Sequence, residues 1–389
     1  QVGLISVLVG SIGWGLVVST IPTLIVLTSV LSFIYLVDVI FNMYVTLKSL
    51  HFPPELTFTK DQISNLKDKD LPIYSILVPL YKEAGVLPHF ITSMQKLDYP
   101  TQKLDILLLL EEGDDDTINA AKTLNLPSHY RIIIVPKSSP KTKPKACNYG
   151  LSFVRGEYTV IYDAEDRPDP LQLKKAYLAL CNDETIGCVQ AKLNYFNPGD
   201  NLLTRFFTAE YSLWFDVILP GLQSINTSIP LGGTSNHFKT SVLRQLRGWD
   251  AFNVTEDADL GTRLFNAGYH TAIIDSTTLE EANSNWRNWV RQRSRWLKGY
   301  MQTYLVHMRD PLKLFRAQGV HALLFNLFVG GKISFILINP FLWVMTISAT
   351  FSRRARSRIS SRICAWMVTS SAVVGSSAIR SLGLQASPM

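Results

Sequence analysis

The chain has 389 residues, 47% of them hydrophobic and 18% charged, a balance that fits a soluble domain accompanied by membrane segments better than a wholly soluble protein. Its formal charge of +7 owes much to Arg353, Arg354, Arg356, Arg358, Arg362 and Arg380, in a tail without acids, so the remainder is nearly neutral and no nucleic-acid partner is expected. Cys147, Cys181, Cys188 and Cys364 show neither a CxxC nor a Cys/His ligand spacing, which argues against zinc and a disulfide framework and for a reduced, cytosol-facing catalytic region.

The chain opens on Gln1, so further residues upstream are expected. Residues 1–47 predict one or two transmembrane segments: Val2 to Thr20 and Ile21 to Val45 carry Asp38 as their one charge, Pro22 marks a break, and about 20 apolar residues suffice to span a bilayer. The stretch is long for a cleaved signal peptide, and no basic segment precedes it. Residues 48–70, with Pro53-Pro54, read as a polar linker.

From Leu71 to about Tyr195, short apolar runs alternate with amphipathic stretches. Ile73 to Val78, Leu104 to Leu110, Arg131 to Val135, Tyr158 to Tyr162 and Gly187 to Leu193 predict buried strands. Helices are predicted near Val86 to Leu97, Asp116 to Leu124, Pro144 to Val154 and Asp169 to Cys181. The alternation implies an α/β domain, here 71–310, with a mostly parallel sheet covered on both faces. In such sheets ligands collect beyond the carboxyl ends of the strands. Two acidic clusters fall there: Glu111-Glu112-Gly113-Asp114 after the second strand and Asp163-Ala164-Glu165-Asp166 after the fourth.

Asp163, Glu165 and Asp166 offer hard oxygen ligands that suit Mg²⁺ or Mn²⁺ beside a diphosphate; the same loop before Pro168 also reads as a solvated acidic turn. Lys141, Lys143 and Lys145 border a helix start near Pro144, where ammonium groups meet phosphate oxygens, or form a lysine-rich surface loop. Gly232-Gly233-Thr234 allows close backbone approach and suits an acceptor site. Thr255-Glu256-Asp257 precedes the helix Ala258 to Phe265. Thr255 fits an N-cap with two acids favoured by the helix dipole; alternatively Asp257 is a general base for an acceptor hydroxyl.

Gln292, Arg295 and Trp296, at i, i+3 and i+4, share one helix face. Arg forks onto a diphosphate and Trp offers a flat surface to a sugar; with Arg287, Arg291, Arg293, Lys298, Trp286 and Trp289 the segment equally suits a membrane interface. Residues 311–351 predict an interfacial helix leading into a span, with Gly330-Gly331 and Pro340 as interruptions, and 352–389 a basic Ser/Arg-rich irregular tail. No Gly-x-x-x-x-Gly-Lys loop occurs, which leaves an ATP-driven transporter without support.

Taken in order, these motifs resemble the membrane-bound glycosyltransferase family 2 enzymes of the cellulose, chitin and hyaluronan synthase type, over about Ile73 to Pro311. The resemblance implies a GT-A (Rossmann-like) glycosyltransferase domain flanked by transmembrane helices, and inverting, metal-dependent transfer from a nucleotide-sugar, most often a UDP-sugar. The acceptor would be a growing β-linked glycan. A single addition to a lipid carrier or other membrane acceptor is the alternative, and a catalytically silent scaffold a third reading. Within the pattern, Pro79, Tyr81, Glu83, Glu112, Lys145 and Asp163 take the donor-binding places. Asp163 with Glu165 or Asp166 takes the metal-binding DxD. Asp257 is the catalytic aspartate of TED, beside Glu256, and Gln292, Arg295 and Trp296 form QxxRW. Glu111-Glu112 stands where Asp-Asp is usual, and Asp-Ala-Glu-Asp replaces Asp-Ala-Asp. The resemblance further implies an integral membrane protein with a cytosolic catalytic domain; basic residues such as Lys48 and Arg316 beside the apolar stretches agree. Secretion or regulatory subunits are not readable from the chain.

Overall fold

The computed structural model describes residues 2–51 and 55–325; the expected span beyond residue 325 and the tail 352–389 lie outside the described residues. The strands are β1 Tyr74–Leu80, β2 Leu104–Glu111, β3 Tyr130–Val135, β4 Tyr158–Ile161, β5 Arg167–Pro168, β6 Ile186–Tyr195, β7 Asn236–Lys239 and β8 His270–Glu280. They form one eight-stranded sheet in the order β3-β2-β1-β4-β7-β6-β8-β5.

Four of the five strands predicted from apolar runs form a parallel half: β1 pairs with β2 at Tyr74↔Leu104 and with β4 at Tyr74↔Tyr158, and β2 pairs with β3; the fifth, β6, lies in the other half. The other half is mixed, so the sheet is mostly parallel, as expected, but not wholly so, with antiparallel pairings that the apolar runs did not announce. β7 runs antiparallel to both β4 and β6, β5 is antiparallel to β8, and β6 and β8 are parallel. The inserted strand β7 escapes an apolar-run search because its Asn236 and His237 are polar yet buried. His237 meets that cost with hydrogen bonds: Nδ1 lies 2.7 Å from the Tyr74 hydroxyl and Nε2 3.2 Å from Gln172 Oε1.

Every residue of β2 is buried, as a strand covered on both faces requires. Its period of two sorts Ile106, Leu108 and Leu110 into one core with Leu87, Phe90 and Leu173 from helices Leu87–Met94 and Gln172–Asn182. Leu107 and Leu109 enter the opposite core with Ala146, Cys147, Leu260 and Leu264, from helices Lys143–Leu151 and Glu256–Asn266.

The predicted linker is not a free tether. It carries the helix Lys60–Ser64 with a Thr59/Gln62 capping box, and Leu56 joins the sheet by donating its N–H to Ile273 O (2.8 Å) and accepting from Asp275 N (3.0 Å). Ahead of it stand helices Val2–Val18 and Thr20–His51, interrupted at Ser19. Pro22 sits in the first turn of the second helix, where a missing N–H costs nothing. That helix is long and apolar enough over Thr20–Leu50 to cross a membrane, and 11% of its most apolar 18 residues is buried. Its far end is anchored to the sheet domain, Phe41 and Val45 packing with Leu219, Leu222 and Ile273.

Candidate active site

A cleft of about 610 Å³ opens beyond the carboxyl ends of β1, β2 and β4. Its walls bring together Pro79, Tyr81, Glu83, Asp163, Glu165, Gly233, Glu256, Asp257, Arg295 and Trp296, from segments more than 200 residues apart in the chain. Lys141, Lys143 and Glu111 join them.

The two halves of the cleft are built differently. On one side the residues are the last of their strands or the first beyond. Tyr81 follows β1, and Lys82, at φ 59°, turns the chain and donates its N–H to Asp114 Oδ2 at 2.6 Å. Asp163 follows Tyr162, whose N–H continues the ladder to Leu77 O at 3.1 Å. Glu83 is held by its N–H on Thr117 Oγ1 (3.1 Å).

The acidic loop divides its labour. Asp166 is fully buried and points inward; its Oδ2 accepts from Asp163 N at 2.8 Å and from the Thr234 hydroxyl. It therefore fixes the loop rather than facing the cleft, whereas Asp163 and Glu165 line it. Burial, and then the charge of Asp163, push the Glu165 and Glu83 carboxyls each up to about 7. The Glu280 carboxyl, at the end of β8, is also raised, by burial and then by Asp166, Asp163 and Glu165. This crowding of carboxylates is the donor chemistry that a divalent cation would relieve, so Asp163 and Glu165 fit such an ion. Among the described residues no preformed cluster of three or more ligands stands ready for it.

Two donor-site assignments move by short steps. Lys145 Nζ lies 2.9 and 3.1 Å from the Glu111 carboxylate oxygens and donates to Pro136 O; it does not line the cleft. Lys143 does, its Nζ 2.5 Å from Asp163 Oδ1 and 2.7 Å from Gly233 O. Residues two apart on a helix point to nearly opposite sides, so only one of the two could reach the cleft. Likewise Glu112 is exposed, accepting from Lys137 N at 2.8 Å, and Glu111 lines the cleft. Parity along β2 carried that signal: Glu111 continues the face of Leu107 and Leu109, against which Lys145's helix packs.

On the other side stand the Gly232 to Thr234 loop, the TED segment and the helix Trp286–His307. Gln190 braces the loop, accepting from Gly232 N at 2.7 Å and donating to Thr234 O at 3.0 Å. A side chain added at Gly233 would sit 3.6 Å from Asp257 Oδ2, so the bare backbone leaves the carboxylate open to the cleft. Thr255 precedes the helix, but its hydroxyl caps nothing and is buried without a partner. Asp257 instead accepts from Ala258 N at 2.7 Å. Burial raises the carboxyls of both Asp257 and Glu256, each further raised by nearby carboxylates and lowered by Lys143.

From Gly299 onward, the Trp286–His307 helix is stapled to the TED segment and the residues flanking it. Gly299 lies so close that an added Cβ would fall 2.5 Å from Thr255 and 2.7 Å from its backbone N. Thr303 accepts from Asn253 (2.9 Å), Gln302 donates to Phe252 O (3.2 Å), and His307 meets Asp259 (2.9 Å), which also holds Arg263. Arg295 and Trp296 reach the cleft, while Gln292 accepts from Asn283 at 2.9 Å and stays outside its lining. Arg293, between them, forks onto Glu210 and lies over the rings of Phe207, Trp289 and Trp296.

A family model described as glycosyltransferase like family 2 matches residues 72–299. The probable glycosyltransferase YdaM of Bacillus subtilis is 29% identical over 263 residues, 67% of this chain and 62% of that protein. The probable glucomannan 4-beta-mannosyltransferase 7 of Oryza sativa subsp. japonica is 25% identical over 303 residues, 73% of this chain and 51% of its own length. The chain thus spans between about half and two thirds of these curated relatives. The structure of mannosyltransferase PcManGT from Pyrobaculum calidifontis, in complex with GDP-Man and Mn2+, superposes with a TM-score of 0.56 at 18% identity. The match covers 90% of this chain and 94% of that one, and shows a shared fold.

Proposed function

The chain belongs to the glycosyltransferase like family 2, and we propose that it transfers a sugar, with inversion, from a nucleotide-sugar to a growing β-linked glycan at the cytosolic face of a membrane. The observation that carries this reading is the single cleft in which Asp163, Glu165, Asp257, Arg295 and Trp296 converge. Asp163 and Glu165 would hold Mg²⁺ or Mn²⁺, which when bound supplies charge neutralisation of the leaving diphosphate. The Arg295 guanidinium adds charge-assisted hydrogen bonds to the same phosphates, and the Tyr81 ring on the β1 side offers a stacking face to the nucleotide base.

Asp257 takes the proton from the acceptor hydroxyl as its oxygen attacks the anomeric carbon. Its raised carboxyl makes it a stronger base than an exposed aspartate while leaving it ionised near neutrality. Gly233 leaves room for the acceptor beside it, whereas Gly232 faces Leu193, Phe215 and Gln190 in the interior and only shapes the loop; Trp296 gives the acceptor ring a flat wall. Displacement from the face opposite the diphosphate inverts the anomeric centre. The membrane setting rests on the exposed apolar helix over Thr20–Leu50, anchored to the catalytic domain through Phe41 and Val45. Both UDP- and GDP-sugars belong in the test, since the relatives above include proteins named as mannosyltransferases and one solved with GDP-Man.

Membranes carrying the protein, supplied with labelled UDP- and GDP-sugars and Mn²⁺ or Mg²⁺, are expected to build a ladder of oligomers from one donor. A single added sugar would replace the polymer reading with transfer to a lipid or other acceptor. No incorporation from any donor, with donor binding also absent, would sink the enzymatic reading.

A further inference from the structure

We propose that Lys143 is a built-in counter-cation for Asp163, occupying the carboxylate in the metal-free protein and yielding it when a divalent ion enters. The inference rests on the reading of Asp163 as a metal ligand. Lys143 is the first residue of the helix Lys143–Leu151, and the preceding Thr142 is pinned by its hydroxyl to Ala251 O at 3.0 Å. From this fixed origin its Nζ reaches Asp163 Oδ1 at 2.5 Å and Gly233 O at 2.7 Å. It thereby bridges the acidic loop and the glycine loop that borders Asp257.

The surroundings explain why a cation is needed. Glu83, Glu165, Glu256 and Asp257 all share the cleft with Asp163, and Lys143 is the cation that lowers each of their raised carboxyls. Lys145 is committed to Glu111, and Lys141 lies 3.8 Å from the centroid of the Tyr81 ring. A divalent ion on Asp163 would meet an ammonium already at hydrogen-bond distance from Oδ1, and the repulsion between the two cations across one carboxylate favours displacement of Nζ. The ammonium therefore competes with the metal for the same oxygen. Once displaced, Nζ stays tethered at the cleft wall, within the space the donor phosphates would enter.

The test is direct Mn²⁺ binding to the metal-free, donor-free protein, read by electron paramagnetic resonance of free Mn²⁺ and by the shift in melting temperature on adding Mn²⁺ after chelation. Lys143→Met should bind Mn²⁺ about tenfold more tightly than the wild type, since one charge-assisted hydrogen bond no longer has to be broken. It should also melt lower than the wild type in chelator and gain more on adding the metal. Lys141→Met removes the same charge from the same cleft without touching Asp163, and should leave the affinity within about twofold, its exposed charge acting through water.

Equal tightening by both variants would reduce the effect to general electrostatics and overturn the proposal, as would unchanged affinity in Lys143→Met with a cooperative melt. Adding Asp163→Asn to Lys143→Met must abolish the gain; a gain that survives also overturns it. These outcomes separate from failure of the transferase reading, which would appear as absent sugar transfer with metal affinities still ordered as described.

Discussion

The two walls of the cleft reach the same chemistry by different construction. The wall of Tyr81, Glu111, Asp163 and Glu165 hangs from parallel strands whose backbone ladders fix each residue by its count along the strand. The wall of Asp257, Arg295 and Trp296 is assembled from a helix start and a distant helix, joined by side-chain hydrogen bonds and one glycine contact. A sheet-borne wall tolerates local change because its geometry is set by many bonds. A stapled wall depends on few, so small substitutions there should reach the chemistry while sparing the fold.

The sharpest test of that contrast is Asp257→Asn, which should lower sugar incorporation by about 10²–10⁴-fold while donor binding, which rests on the sheet-borne wall and on Arg295 rather than on Asp257, persists. Incorporation within a few fold of the wild type would remove Asp257 as the base. Leu109→Ala in β2 probes the sheet-borne wall through its core: Leu109 is fully buried, and its truncation should cost about 2–5 kcal/mol in denaturant unfolding. The protein that remains folded should keep its turnover.

Gly299→Ala should show the reverse pattern, costing about 1–3 kcal/mol as the added methyl meets Thr255. It should also reduce turnover by more than it weakens donor binding. Equal losses in both would mean that the walls do not act separately.

The smallest effect expected is on stability against pH in chelator. Glu83 and Glu165 are raised from 4.5 to about 7, so between those values the folded chain holds protons that the unfolded chain has released. Stability should therefore fall as pH rises through that window. Saturating Mn²⁺ should flatten the decline, and a rise with pH in the metal-free protein would contradict the crowding of carboxylates described above.

Much of the sheet-borne wall was legible in advance because buried parallel strands are written as apolar runs, and the acids follow those runs directly, as in Leu104–Glu111 and Tyr158 to Asp163. The details that failed to appear were matters of direction. Lys143 and Lys145 are both helix-start lysines, and only the helix's rotation chose which faces Asp163. Asp163 and Asp166 share a loop, and the Thr234 hydroxyl drew Asp166 inward. β7 and β8 were missed because buried polar residues such as His237 and Thr278 break the apolar pattern, their cost met by partners from far along the chain.

The sequence by itself determined the element types of the parallel half, the order of the motifs and the kinds of side chain offered to a substrate, because these follow from local periodicity and from functional groups that need no partner to be recognised. Tertiary structure alone decided which lysine meets the acidic loop, that Glu111 rather than Glu112 enters the cleft, and how closely Gly299 brings the helix to Thr255. Those outcomes depend on side-chain direction and on contacts between segments tens to hundreds of residues apart, which no local pattern encodes.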